Sequence, residues 1–131
     1  MDTKVIHECT TGALAGKVSF PDTVKQLIGI GVKRYYADLT RMEKVFYAKN
    51  HETALERLPV PNSPVVAEQF DEKGVVAAIR AIQQKQIDYP EFLRLIMAGG
   101  CASYSVFIDG RHAAYYGRKG ECYVEHFPSV K

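Results

Sequence analysis

The sequence predicts an α+β fold built from two helix-plus-antiparallel-β-meander repeats related by a pseudo-two-fold, with the helices packed on one face of the sheet. Three observations carry that expectation: self-similarity at a fixed offset, a capped amphipathic helix opening each copy, and alternating strands with turn residues after each helix. A balance of 47% hydrophobic and 24% charged residues over 131 positions suits one globular domain with its own core. The expected layout is a single domain over 1–131, with repeats at about 19–58 and 88–128, a connector at 59–70 and a middle helix at about 71–86.

The self-similarity emerges when Phe20-Pro21-Asp22 is laid on Tyr89-Pro90-Glu91, an offset of 69. Gly31 then falls on Gly100, Tyr35 on Tyr104, Tyr47 on Tyr116 and Glu52 on Glu121. A repeat constrains topology more tightly than local propensity does, and two copies imply a dyad rather than a solenoid.

Along the chain, a helix over 3–14 is expected from Val5, Ile6, Cys9 and Ala13, with Thr10-Thr11-Gly12 working against it. Ser19 and Asp88 each stand three residues before an acid, with proline in the first turn, so they read as N-caps. The apolar stripes Val24, Leu27, Ile28 and Phe92, Leu93, Ile96, Met97 follow, until glycines at 29, 31, 99 and 100 stop the helices. Strands are expected over 33–39, 42–49 and 53–58. A turn at Thr40-Arg41 would set Asp38 opposite Glu43, and that clash of like charges predicts a slipped register. Pro59, Pro61 and Pro64 make the connector stiff, and the middle helix turns Val75, Ala78, Ile79 and Ile82 inward.

In the second copy the strands are 103–108, 111–118 and 121–127. Asp109-Gly110 reads as a type I′ turn, and Lys119-Gly120 as a second two-residue loop. Those loops set Tyr104 opposite Tyr115, Arg118 opposite Glu121 and Tyr115 opposite Val124. The core face would then hold Tyr104, Val106, Ile108, Ala113, Tyr115, Gly117, Cys122 and Val124. The outer face would carry the aromatics Tyr36, Tyr47, Phe107, Tyr116, Tyr123 and Phe127, covered by the connector, the N-terminal segment, a second subunit or a ligand.

Three stretches also resemble a known group: Arg34-Tyr35-Tyr36-Ala37-Asp38, the run 78–84, and the closing run 115–125 with its Gly117-Arg118-Lys119-Gly120-Glu121 core. The chain resembles a small bacterial family of unknown function whose members are often labelled "phage envelope protein" in genomes. That resemblance covers about 19–128 and implies a phage-derived structural role, while implying no catalytic residue and no cofactor.

A formal charge of +2 gives no strong basic footprint, so no nucleic acid is indicated. Cys9, Cys101 and Cys122 are odd in number and far apart, which fits reduced thiols rather than disulfides or zinc. His7-Glu8-Cys9 has the wrong spacing for a metal site, and no metal is expected. No leader or membrane span is apparent, so a cytoplasmic protein without a membrane partner is expected. No dinucleotide, phosphate-loop or zinc-protease motif appears, and no cofactor is expected.

Ser105, His112 and Glu125 would share the outer face, forming a candidate hydrolytic set that lacks a pocket and oxyanion donors. Tyr116, Arg118, Glu121 and Tyr123 on the same face suit recognition better. The functional expectation is a non-catalytic module binding a small molecule or protein, with a homodimer as another possible partner arrangement. A small hydrolase or acid–base enzyme, or a phage-derived structural protein, are the alternatives.

Overall fold

The computed structural model describes residues 1–127, so the last position of the second predicted repeat, Pro128, lies outside the described residues. The chain runs α1 (Thr3–Leu14), α2 (Phe20–Gly29), β1 (Val32–Asp38), β2 (Glu43–Ala48), β3 (Thr53–Arg57), α3 (Glu72–Gln83), α4 (Tyr89–Ala98), β4 (Cys101–Phe107), β5 (His112–Gly117) and β6 (Cys122–His126). Each helix begins at an oxygen-bearing cap. Asp2, Ser19, Asp71 and Asp88 all accept backbone N–H groups of the first turn, satisfying donors that would otherwise be orphaned. In α1 the residues that argued against helix are accommodated. Thr10 Oγ1 and Thr11 Oγ1 donate to the carbonyls of Ile6 and His7, each at 3.0 Å, while Gly12 leaves room for the Val18 side chain.

The six strands form one antiparallel sheet in the order β3-β2-β1-β4-β5-β6, so the two meanders join edge to edge through β1 and β4. Side chains alternate across it. One face carries Tyr35, Ala37, Phe46, Tyr104, Val106, Ala113 and Tyr115, all buried with Leu27, Val75, Leu93 and Ile96 of the helices in one continuous core. Gly100 makes the close approach at the α4–β4 corner: its φ of +86° suits glycine, and a Cβ there would strike the backbone of Gln69 and Phe70.

Three expectations about the loops are corrected. Asp109-Gly110 is not a type I′ turn, because neither residue has positive φ; Arg111 carries it instead, at 57°. The loop is longer, yet Phe107 still pairs with His112 and Tyr104 with Tyr115, so the β4–β5 register is the expected one. The predicted slip between β1 and β2 does not occur either. Asp38 lies directly opposite Glu43, and the repulsion is relieved locally. Asp38 accepts from the amides of Thr40 and Arg41, and Glu43 receives Arg41 Nε at 2.6 Å with Arg57 at 3.9 Å.

The third correction concerns β6. The loop holds three residues, not two: Gly120 N–H donates to the Gly117 carbonyl at 3.1 Å, Gly117 N–H donates to the Glu121 carbonyl at 2.8 Å, and Gly120 takes φ +86°. This is a turn closed by a left-handed glycine, which adds one residue to the hairpin. Tyr115 therefore pairs with Tyr123 rather than Val124. A one-residue shift exchanges the faces of a whole strand, so Tyr123 and Glu125 lie on the helix side while Cys122 and Val124 face outward. Phe127 also packs on the helix side, edge-on to Phe20 of α2.

Candidate functional site

The helix-free face of the sheet is built from every second residue of six strands, and the register sets them in rows. One row reads Thr53, Tyr47, Arg34, Phe107, His112, His126 from β3 to β6. Its planar groups lie against one another. The Arg34 guanidinium sits 3.7 Å above the Tyr47 ring, Phe107 and His112 are 5.0 Å apart, and His112 and His126 are 5.9 Å apart. The next row is Leu55, Val45, Tyr36, Ser105, Ala114, Val124, with Leu55 and Val124 exposed at its two ends.

Among the described residues, neither the connector nor the N-terminal segment covers this face. The connector 59–70 turns to the helix side: Ala67 N–H donates to Met97 O at 3.0 Å, Arg94 Nε to Pro61 O at 2.9 Å, and Val66 and Phe70 join the core. Helix α1 is tied to the same side, where Thr10 and Ile6 are buried and His7 Nδ1 lies 2.8 Å from Glu56 Oε1.

At the β1–β2–β3 corner the face dips into a cavity of about 450 Å³ whose lining includes Lys33, Arg34, Tyr47, Lys49, His51 and Thr53. Four of these side chains are basic. Lys33 has Asp109 at 3.6 Å, whereas no carboxylate among the described residues pairs with Arg34, Lys49 or His51. Sequence reading missed this group, because the basic residues come from strand β1 and from the β2–β3 turn; the available signal was that Lys33, Arg34 and His51 fall on Ala102, Ser103 and Gly120 at the offset of 69.

The candidate hydrolytic residues are not brought together. Ser105 lies opposite Ala114 on the helix-free face, and His112 Nδ1 is 3.1 Å from the Gly110 carbonyl. Glu125 is on the other side of the sheet, where Arg80 holds it at 2.6 and 3.2 Å, with Gln83 at 3.1 Å and the Tyr123 hydroxyl donating at 2.7 Å. Burial alone would raise the Glu125 carboxyl, but these hydrogen bonds outweigh it and hold the group below its ordinary value. It serves as an anchor between β6 and α3.

Of the candidate binding residues, Tyr116 stays on the helix-free face, opposite Ser103. Tyr123 does not. Arg118 and Glu121 form no ion pair: Arg118 reaches the Val66 carbonyl at 3.5 Å, and Glu121 Oε1 accepts the Lys119 amide at 2.9 Å, so both secure the turn.

One buried polar group lies beneath the opposite face. Lys44 on β2 is only 4% exposed, and its ammonium lies 5.0 Å from the Tyr35 ring and 4.5 Å from the Tyr89 ring. Tyr89 and Tyr104 share a short hydroxyl–hydroxyl hydrogen bond. Burial pushes the Lys44 ammonium down to about 7 and raises the Tyr35, Tyr89, Tyr104 and Tyr115 hydroxyls. Burial likewise raises the thiols of Cys9 and Cys101, the opposite of what an activated thiolate requires. Among the described residues no cluster of three or more His, Cys, Asp or Glu side chains suits a metal ion, and no helix is long and apolar enough to cross a membrane.

Comparison with known proteins places this architecture in a family. Uncharacterised proteins of Mycobacterium bovis and Mycobacterium tuberculosis are 25% identical to the chain over 112 residues, a stretch spanning 86% of this chain and 68% of theirs. The model of a family described as protein of unknown function (DUF1398) matches residues 17–126, which take in every element from α2 to β6. The chain belongs to that family.

Proposed function

We propose that the protein is a non-catalytic binding module, acting as one cytoplasmic domain, that takes a small ligand on the helix-free face of its sheet. The observation that carries this reading is the uncovered row of planar side chains, Tyr47, Arg34, Phe107, His112 and His126, running across five neighbouring strands. Aromatic rings with adjacent polar groups are what recognition surfaces enrich. Separation of Glu125 from Ser105 and His112 by the thickness of the sheet supports recognition over hydrolysis. The three free cysteines support a reducing compartment.

We infer too that the chain is a duplicated helix-helix-meander unit with a pseudo-two-fold between β1 and β4. Positive φ values support it, recurring 69 residues apart at Gly16 and Lys85, Gly31 and Gly100, Met42 and Arg111, and His51 and Gly120. The central pairing supports it as well: Tyr36 faces Ser105, its own counterpart at that offset, and Arg34–Phe107 mirrors Asp38–Ser103.

A fragment library followed by amide chemical shifts tests the binding reading. Hits should perturb Tyr36, Phe107 and Tyr116. Tyr116→Ala should weaken them by more than about 1 kcal/mol, as loss of an interface anchor does, while Tyr123→Ala leaves them unchanged. Hits confined to the helix side, or ester hydrolysis abolished by Ser105→Ala, would overturn the reading. Assembly into large particles at micromolar concentration would favour the phage structural role instead.

A further inference from the structure

We propose that the corner cavity between Arg34 and His51 is a binding site for a phosphate monoester, which names the ligand class of the binding module and rests on that reading. Charge count decides the class. A carboxylate needs one cationic partner, whereas Arg34 and Lys49, neither paired with a carboxylate among the described residues, line one concavity of about 450 Å³ together with Lys33, which also reaches Asp109 at 3.6 Å, and the His51 imidazole, so that more than one cation is at hand for a dianion. The cavity is also roomy enough for more than a bare ion, and Tyr47 and Thr53 in its wall supply a ring and a hydroxyl for the rest of a small molecule.

The fold does not require three of these side chains, whereas Lys49 falls on another basic residue, Arg118, at the offset of 69. The β4–β5–β6 meander makes the equivalent corner with Ala102, Ser103 and Gly120 where the first has Lys33, Arg34 and His51. His51 is the clearest case. It holds φ at +71° in the turn where the other meander uses glycine at +86°, a conformation that disfavours any side chain, so the imidazole is kept against a local backbone cost. Arg34 is pre-positioned by its stack on Tyr47, which limits the side-chain freedom lost on gripping an anion.

The test uses the full chain, with inorganic phosphate, phenyl phosphate and acetate titrated at constant ionic strength and followed by amide shifts. Saturable shifts at Arg34, Lys49, His51 and Thr53 are expected for both phosphates, with acetate at least tenfold weaker. Arg34→Gln should weaken phosphate at least fivefold. His51→Gly should weaken it severalfold while the melting temperature holds or rises, because glycine relaxes the turn; an effect caused by misfolding would lower it. Non-saturating shifts, acetate equal to phosphate, or full affinity in the Arg34→Gln/His51→Gly double variant would overturn the site. Fragment binding at Phe107 and Tyr116 without a phosphate response would sink this inference alone, whereas silence of the whole face would remove the binding-module reading with it.

Discussion

Replacing Tyr104 with alanine should cost about 3–5 kcal/mol in chemical denaturation, the range for truncating a large aromatic in a closed core. Tyr104 is 3% exposed at the centre of the sheet, stacked on Tyr115 at 5.4 Å and hydrogen-bonded to Tyr89. Alanine would remove the ring, leave a void facing Tyr115, and strip the Tyr89 hydroxyl of its partner. Tyr104→Phe separates those contributions. It keeps the packing and loses only the hydroxyl pair, so it should cost about 1 kcal/mol, the usual net worth of one hydrogen bond. A near-zero effect of Tyr104→Ala would mean that the helices cover the other face of the sheet. That result would remove the structural basis for treating Phe107 and Tyr116 as ligand-facing.

The orientation of this face was legible in β4 and β5 and misread in β6, for a reason that lies in two glycines. Around Asp109-Gly110 the turn type differs and the loop is longer than expected, yet the strand pairing keeps the expected register, so the alternation of Tyr104, Val106, Ala113 and Tyr115 survives. Around Lys119-Gly120 the sequence fits a two-residue loop or a three-residue loop with a left-handed glycine equally well, and the choice decides which side Tyr123 and Glu125 occupy. Helix starts were legible because a cap is a local event: Ser19 and Asp88 sit next to the amides they satisfy. Relief of the Asp38–Glu43 contact was hidden, since it comes from Arg41 and Arg57, which only the folded hairpins bring near. The corner cavity was hidden for the same reason, its basic residues coming from strand β1 and from the β2–β3 turn. Lys44 escaped because β2 alternates without contrast: Lys44 and Phe46 point inward, Glu43, Val45 and Tyr47 outward, and hydrophobicity alone does not choose between those sets.

Lys44 gives the second large effect, a stability that rises with pH. The groups facing it are Tyr35 of β1, Tyr89 of α4, Cys9 of α1 and its cross-strand neighbour Glu56 of β3, whose carboxylate is engaged by His7. Burial favours the neutral amine in the folded protein, lowering its pKa to about 7, whereas the unfolded chain keeps the ordinary lysine value of about 10.4. Between those values the unfolded state binds the extra proton, so stability increases as pH rises and is lost as pH falls toward 7. The slope should approach roughly 1 kcal/mol per pH unit, reduced to the extent that the tyrosine faces stabilise the cation. Above pH about 10 the sign reverses, because tyrosines whose hydroxyls are raised by burial ionise more readily in the unfolded chain. Urea denaturation from pH 7 to 11 should therefore show a maximum near pH 10. Lys44→Met, which fills the same space without a charge, should flatten the rising limb and gain most over the natural protein at pH 7. A wild-type profile flat from pH 7 to 10, or one that Lys44→Met leaves unchanged, would mean that the Lys44 amine reaches water in the folded state and that the tyrosine-lined core does not hold it neutral.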